Sequence, residues 1–212
     1  AMLSHSLIVL MLAGAADCAE LEIKLKENYL NFPVSYDGDD QTSIEIVIEG
    51  KTEIYLDCSL TDGEPGFWVF QDVSAFKGKT AIIRTDRNGK RNALTKIYQS
   101  DKREYLKDLY KEAARPQLHF STIRGWINDP NGLVYYDGEY HLFFQHYPHG
   151  YYWGQPNWGS AKSTDLVHWK QLPDVLARHQ HGGIYSGSCV IDVENTSGFK
   201  TGENDVMVAF YT

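Results

Sequence analysis

Asp137-Gly138 stands between two aromatic-rich, apolar runs and limits the possible folds more than any other feature. Residues 132–136 read Gly-Leu-Val-Tyr-Tyr and residues 139–145 read Glu-Tyr-His-Leu-Phe-Phe-Gln. Asp-Gly between two such runs is a strong signal for a tight β-hairpin. Two more strands are predicted over residues 158–163 and 168–172. Four consecutive antiparallel strands in roughly 40–45 residues are typical of one β-propeller blade.

A second strand unit follows this predicted blade. Residues 184–193 and 205–211 are predicted strands, and the polar stretch between them is their loop. The chain from residue 117 onward holds one to two blades, which cannot close into a ring. We therefore expect residues 117–212 to be an incomplete β-propeller, and the chain to be the front portion of a longer protein.

The part before residue 117 has a different character. Residues 20–99 contain short alternating segments separated by Gly, Asp and Asn turns, which predicts a small β-sandwich-like domain and an all-β protein. Residues 100–116 change to helical spacing, with Ser100 as a possible N-cap and Pro116 at the end. We predict a short amphipathic linker helix there.

Charge and cysteine content exclude several classes of protein. The 212 residues carry a net charge of -8, with a pI near 5.4, which argues against nucleic acid or an anionic membrane surface as partner. The cysteines Cys18, Cys58 and Cys189 are few and far apart, and they indicate neither a disulfide framework nor a zinc site. The histidines His141, His146 and His149 also lack the spacing of a zinc-protease motif.

The N-terminus favours export. Residues 7–16 are apolar, too short for a membrane span, and end in small residues, which is typical of a signal peptide over residues 1–19. We therefore expect a periplasmic, cell-surface or secreted protein. Cys18 is an alternative lipid-anchor site, although Asp17 is a poor match to the small residue that usually precedes one. A buried N-terminal strand or helix is the other alternative.

Residues 126–132, Trp-Ile-Asn-Asp-Pro-Asn-Gly, hold the leading candidate for chemistry. Pro130 restricts Asp129 to extended backbone angles, and Asn131-Gly132 tolerates a tight turn with positive φ. We predict that this turn between two strands aims the Asp129 carboxylate outward. A carboxylate held in this way is a candidate nucleophile for sugar chemistry, which usually needs two such groups. Taken alone, the same residues also fit a plain hairpin turn.

The surrounding residues are of the types that bind sugars, which combine aromatic faces with bidentate polar groups. Cross-strand packing is the alternative explanation for part of the aromatic set. The candidate substrate-binding residues are Trp126, Asn128, Gln145, Trp153, Trp158, Tyr185 and Ser186.

The order and spacing of these elements resemble glycoside hydrolase family 32, which contains invertases, inulinases and levanases. The resemblance covers roughly residues 116–212 and is carried by residues 126–132, Gln145, Trp153, Trp158-Gly159 and residues 185–188. Residues 29–34 and 67–74 are more loosely similar to a small β-domain that precedes the catalytic module in some bacterial fructan-degrading enzymes.

The resemblance implies a five-bladed propeller that cleaves β-fructofuranosidic bonds with retention, with Asp129 as nucleophile. It implies a fructose-containing oligo- or polysaccharide as substrate and no metal or organic cofactor. Asn128, Gln145, Trp153, Tyr185 and Ser186 would line the fructose subsite. The sequence leaves sucrose, inulin and levan open as substrates, and it leaves the oligomeric state open.

The chain departs from the family pattern at the second carboxylate. The family's general acid is the Glu of a Glu-Cys motif, and a further Asp lies in an Arg-Asp-Pro motif; the 212 residues contain neither. We therefore expect the chain alone to be inactive. A non-catalytic carbohydrate-binding protein is the alternative. A related five-bladed enzyme acting on arabinosides fits residues 126–132 poorly.

Overall fold

The chain forms two compact units. The computed structural model describes residues 18–37, 41–86, 91–103 and 109–212. The first unit takes in residues 1–107 together with 149–154, and the second takes in residues 108–148 and 155–212. Most of the predicted leader lies outside the described residues, whereas Cys18 is exposed and Ala19 is already buried in the first unit. Across the described ranges, no helix has both the length and the apolar character of a membrane span.

The first unit is a pair of antiparallel sheets around one core. One sheet has the order β1-β6-β3-β4 and the other has the order β5-β2-β7. Leu21, Phe32, Ile44 and Ile83 come from both sheets and are buried together, as the alternating pattern requires. The predicted sandwich-like fold is therefore confirmed. Its elements are β1 (Glu20–Lys24), β2 (Tyr29–Val34), β3 (Thr42–Ile48), β4 (Lys51–Cys58), β5 (Phe67–Asp72), β6 (Thr80–Thr85), α1 (Arg91–Lys96) and β7 (Tyr98–Ser100).

The predicted linker helix over residues 100–116 is not helical at either of its described ends. Ser100, its proposed N-cap, is the last residue of β7 and pairs with Tyr29. Residues 109–116 form turns, and Tyr110 has a φ of 62°, which a right-handed helix cannot accommodate. Residues 104–108, in the middle of the predicted helix, lie outside the described residues. At the C-terminal end of this segment, the Arg115 guanidinium bonds to Glu112 and to the carbonyl oxygen of Thr122.

The second unit begins with a four-stranded antiparallel sheet of order β11-β10-β9-β8. Asp137 and Gly138 join its first two strands with φ values of 49° and 79°, so the predicted tight hairpin is confirmed. This meander has the arrangement of the predicted blade. A separate pair, β12 with β13, follows it. The strands are β8 (Trp126–Tyr136), β9 (Glu139–Tyr147), β10 (Asn157–Ser163), β11 (Lys170–Leu176), β12 (Gly187–Asp192) and β13 (Val206–Tyr211).

Asp129 lies within a strand, and the prediction of a turn at residues 126–132 is wrong. The pairing of β8 with β9 shifts register twice, between Ile127 and Pro130 and between Asn131 and Val134. Because β8 is an edge strand of its sheet, Pro130 interrupts the hydrogen-bond ladder at little cost. The local irregularity that the sequence indicated is therefore a pair of bulges in a strand that continues past it.

The three cysteines are free in the structure. Cys58 is completely buried in the first unit, and this burial raises the pKa of its thiol. Cys189 is half-buried on β12, where burial also raises the thiol pKa.

Candidate active site

The bulged part of β8 turns one group of side chains outward and the next inward. Asn128, Asp129 and Pro130 are exposed, whereas Asn131 and Gly132 are buried. Strands at bulges re-aim their side chains in this way, and bulges are frequent beside active sites. The Asp129 carboxylate therefore faces solvent from a segment whose next two residues are fixed in the interior.

Gly132 is required by its backbone angle and by its neighbours. Its φ is 50°, and a Cβ atom at this position would lie 2.9 Å from the Cβ of Cys189 and 3.0 Å from Cδ2 of Phe143. The absence of a side chain therefore lets β12 approach β8 closely. This approach also carries the segment just before β12, which contains Tyr185 and Ser186, toward Asp129.

Three of the predicted site residues form a continuous hydrogen-bond chain. Gln145 Nε2 donates to Ser186 Oγ at 2.7 Å, and Ser186 Oγ donates to Asp129 Oδ2 at 2.7 Å. Because a serine hydroxyl has one proton and here accepts from an amide, its proton is directed at the carboxylate. Gln145 is only 5% exposed, so the chain starts from a fixed, buried amide.

Asn131 fixes the strand beneath the carboxylate, and the sequence reasoning missed it as a site residue. With its amide oriented to suit its neighbours, its oxygen accepts from Trp158 Nε1 at 3.2 Å and from Gln145 N at 3.3 Å. Its amide nitrogen donates to the carbonyl oxygen of Pro130 at 3.2 Å. A second Asn, two residues after the candidate nucleophile and followed by Gly, was the available sequence signal.

Trp158 supports the site from below and does not offer a face to a ligand. Its side chain is fully buried and stacks on Phe143 with ring centroids 5.9 Å apart. Its Nε1 donates to the carbonyl oxygen of Tyr185 at 2.8 Å, which holds the segment that contains Ser186. The predicted role as a sugar-contacting residue is therefore replaced by a supporting one. Cross-strand packing, the alternative given above, explains this residue.

Gln155 holds the loop that leads to Tyr185, and the sequence analysis did not include it among the site residues. Its Oε1 accepts from the backbone N of Gly183 at 2.7 Å and from the Tyr185 hydroxyl at 3.3 Å. A Cβ atom on Gly183 would lie 2.5 Å from Cδ of Pro156, so the loop packs closely there. Tyr185 itself is 36% exposed, with its ring tip held by Gln155. A Gln in a Gly/Pro-rich loop carries little sequence signal.

The remaining predicted residues differ in their surroundings. Trp126 is half-buried at the start of β8 and pairs with Tyr147, and Asn128 is exposed next to Asp129. Trp153 belongs to the first unit, where its side chain is 54% exposed and its carbonyl oxygen accepts from Gln41 Nε2 at 2.8 Å.

Two of the histidines take part in structural hydrogen bonds. His146 is buried, with Nδ1 2.7 Å from Asp174 Oδ1 and Nε2 3.0 Å from the carbonyl oxygen of Arg124. His149, in the first unit, places Nε2 3.1 Å from Gln71 Oε1. Within the described parts of the chain, no three His, Cys, Asp or Glu side chains are grouped to hold a metal ion.

The arrangement suits a nucleophilic carboxylate. One oxygen of Asp129 receives the Ser186 hydrogen bond, and the other receives none from the described residues. A bond to one oxygen restricts the rotation of the carboxylate and leaves the second oxygen available for attack. Because Asp129 is exposed, a substrate can reach it directly.

Comparison with known proteins shows which family this part of the chain is similar to. Residues 119–212 match the family model described as the glycosyl hydrolases family 32 N-terminal domain. This segment, which carries Asp129, Gln145 and Ser186, is therefore similar to glycoside hydrolase family 32. The resemblance that the sequence indicated is therefore confirmed.

Individual relatives agree with the family match. The levanase of Bacillus subtilis is 54% identical over 103 residues, which cover 49% of this chain and 15% of that protein. The extracellular exo-inulinase of Aspergillus niger is 47% identical over 108 residues, or 49% of this chain and 20% of that protein. The fructan beta-fructosidase of Streptococcus mutans is 38% identical over 164 residues, covering 76% of this chain and 11% of that protein. The chain thus spans a fifth or less of the length of these relatives.

Proposed function

We propose that this chain supplies the nucleophile of a retaining glycoside hydrolase that cleaves β-fructofuranosidic bonds in levan, inulin or sucrose. The single observation that carries the proposal is the chain of hydrogen bonds from Gln145 through Ser186 to the exposed Asp129 carboxylate. Similarity of the segment to family 32, with a levanase, an exo-inulinase and a fructan beta-fructosidase among its relatives, supports the substrate class.

In the proposed reaction, the free oxygen of Asp129 attacks the anomeric carbon of a fructosyl unit. A covalent fructosyl-enzyme forms as the glycosidic oxygen leaves with a proton from a general acid. Water then gives a proton to the conjugate base of the general acid and attacks the same carbon, which breaks the bond to Asp129 and releases fructose with net retention. Ser186 keeps its proton throughout and stabilises the carboxylate as a leaving group in the second step.

The second carboxyl group has to lie about 5–5.5 Å from Asp129 for this mechanism. The family supplies it from a Glu-Cys motif, which these 212 residues do not contain. We therefore propose that the activity requires a module that brings in this acid, within a five-bladed propeller. Substrate contacts are proposed for Trp126, Asn128, Trp153 and Tyr185, with Gln145 and Trp158 holding the site in place.

The proposal extends to the organisation of the chain. We propose a leader over residues 1–19 that directs export, a small β-domain over residues 20–99, a connection over 100–116 and the catalytic segment from 117 onward. The apolar stretch at residues 7–16 supports export.

A chimera tests the proposed function. Residues 119–212 replace the matching segment of the Bacillus subtilis levanase, whose remaining sequence supplies the rest of the propeller. We expect the chimera to release fructose from at least one of levan, inulin and sucrose. We expect Asp129→Asn to reduce turnover by roughly 10³-fold or more, because the nucleophile is lost.

Asp137→Asn is the matched control, since it is the same substitution in a hairpin where Asn tolerates the positive φ. It should leave turnover near that of the parent chimera. Near-normal turnover of a folded Asp129→Asn chimera would refute the assignment of the nucleophile. A folded parent chimera that binds levan without cleaving it would favour a non-catalytic carbohydrate-binding protein.

A further inference from the structure

The first unit carries a group of aromatic side chains on its surface, of which only Phe67 packs against the core of the unit. This aromatic platform consists of Tyr36, Phe67, Tyr151, Tyr152 and Trp153, all in the first unit. Tyr36, Tyr151, Tyr152 and Trp153 are 62%, 41%, 50% and 54% exposed. Single exposed aromatics are common on protein surfaces, but a group in which four rings are in contact, as Tyr36, Phe67, Tyr151 and Tyr152 are, usually marks a binding surface.

Four of the five rings of the platform pack against one another. The ring centroids of Tyr36 and Phe67 lie 5.3 Å apart, those of Phe67 and Tyr151 lie 5.7 Å apart, and those of Tyr151 and Tyr152 lie 4.3 Å apart. Tyr36 lies against Gly66, where a Cβ atom would come within 2.5 Å of its ring. The Tyr151 hydroxyl donates to the carbonyl oxygen of Tyr36. A ligand would therefore meet a surface that is already ordered.

The chemistry of the platform selects for a neutral ligand that is rich in hydroxyl groups. None of its five residues carries a charge at neutral pH, and partial burial together with a hydrogen bond to Tyr152 raises the pKa of Tyr151 to about 12. The adjacent Asp37 is exposed and acidic, and the whole chain carries a net charge of -8, so polyanions are disfavoured. Ring faces accept the C–H surface of a sugar, and tyrosine hydroxyls bond to sugar hydroxyls.

We propose that the aromatic platform is a binding site for a fructose polymer, used to retain the polysaccharide in addition to the reaction at Asp129. The choice of fructan as ligand rests on the proposed function of the second unit. Continuity along the chain supports it: Tyr151 and Tyr152 directly precede Trp153, which is a predicted sugar-binding residue.

The experiment measures retention of the full 212-residue chain in native gels that contain levan, inulin or dextran at graded concentrations. The platform binds fructan if levan or inulin retards the parent chain and dextran does not. Tyr36→Ala and Tyr152→Ala should each weaken retention by roughly tenfold, because each removes one stacking face. Tyr36→Phe and Tyr152→Phe keep the rings and should retain most of the binding, which separates a lost contact from a misfolded chain.

One further variant locates the binding. Tyr135→Ala removes a tyrosine of the second unit that is 60% exposed, and it should leave retention unchanged. Equal retention of the parent and the two alanine variants of the platform would overturn the proposal, as would loss of retention in Tyr135→Ala alone.

Failure of the platform and failure of the proposed reaction remain distinguishable. If neither levan nor inulin retarded the chain, the proposal that the platform binds fructan would be wrong. Fructose release by the levanase chimera would still support the proposed reaction at Asp129. Sedimentation velocity tests the other occupant, a second copy of this chain. A dimer that Tyr36→Ala converts to a monomer, with no fructan binding, would assign the platform to self-association and overturn the proposal.

Discussion

The hydroxyl of Ser186 donates a 2.7 Å hydrogen bond to Oδ2 of Asp129, across a gap of 57 residues in the sequence. The two residues belong to different sheets of the second unit, since Asp129 is in β8 and Ser186 directly precedes β12. The bond is possible because Gly132 lets β12 approach β8 and because Trp158 holds the carbonyl oxygen of Tyr185. The geometry of the candidate nucleophile therefore depends on the packing of β12 against β8, both of which belong to the second unit.

Removal of the Ser186 hydroxyl should slow the reaction without removing the nucleophile. In the levanase chimera, we expect Ser186→Ala to lower kcat by about ten- to a hundredfold, which is the range for one hydrogen bond to a charged group. KM should change less than kcat, because the bond orients the attacking carboxylate. Steady-state kinetics of fructose release measures both values.

Ser188→Ala is the control for the loss of the serine hydroxyl. Ser188 is exposed on β12, two residues after Ser186, and its hydroxyl is not part of the chain from Gln145 to Asp129. The kcat of the Ser188→Ala chimera should stay within about twofold of the parent value. This change is much smaller than the one expected when a hydrogen bond to a charged group is lost. Equal losses in the two variants would show that the Ser186 bond does not serve the reaction.

Gly132→Ala should destabilise the second unit more than any other Gly→Ala change in the β8–β9 hairpin. The new methyl group would combine left-handed backbone strain with contacts of 2.9 Å to Cys189 and 3.0 Å to Phe143. We expect a loss of about 2–4 kcal/mol in the free energy of unfolding. Urea denaturation followed by tryptophan fluorescence measures it.

Gly138→Ala separates strain from crowding. Gly138 also has a positive φ, of 79°, but a Cβ atom there meets nothing within 4 Å. Its substitution should cost only about 1 kcal/mol, from the backbone alone. If both variants lost the same amount, close approach of β12 to Gly132 would not be the cause.

The hairpin and blade were predictable from the sequence because their signals are local. Asp137-Gly138 fixes its turn through backbone angles that few residues other than Gly, Asn and Asp adopt, and the runs on either side of it are rich in aromatic and apolar residues. The position of Asp129 inside a bulged strand was not predictable in the same way. A Pro followed by Asn-Gly fits a turn as well as it fits a bulge, and only the pairing with β9 decides between them.

The site residues were predictable by type, but their individual roles depended on burial. Trp153 and Trp158 have similar sequence surroundings, yet Trp158 is completely buried and Trp153 is 54% exposed. Asn131 and Gln155 were missed because their partners are backbone groups and side chains from distant strands or loops. Such long-range contacts are set by the tertiary fold, and a single sequence carries no direct signal of them.

Acid should destabilise the connection between β12 and β13. Hydrogen bonds from Ser197 and Thr196 lower the pKa of Asp192 below its ordinary value of 3.8. Because the folded-state pKa is the lower one, this stabilisation is complete above the ordinary value and is lost as pH falls toward the folded-state value. Asp192→Asn should therefore lower the urea midpoint at pH 7, and its difference from the parent chain should shrink as the pH falls below about 4.

Glu203→Gln is the control for this pH dependence. Glu203 is an exposed residue of the same connection, and its substitution should leave the urea midpoint nearly unchanged at both pH values. A constant difference between Asp192→Asn and the parent from pH 7 to pH 3 would contradict the role of the Asp192 carboxylate.

The most direct test of the central claim is to trap the fructosyl-enzyme. The levanase chimera is mixed with an activated β-fructofuranoside, quenched in acid within the burst phase and digested for peptide mass spectrometry. We predict one fructosyl unit on the peptide that contains Asp129, and none on that peptide in the Asp129→Asn chimera. A fructosyl ester on another carboxylate, or turnover with inversion and no covalent adduct, would contradict the assignment of Asp129 as the nucleophile.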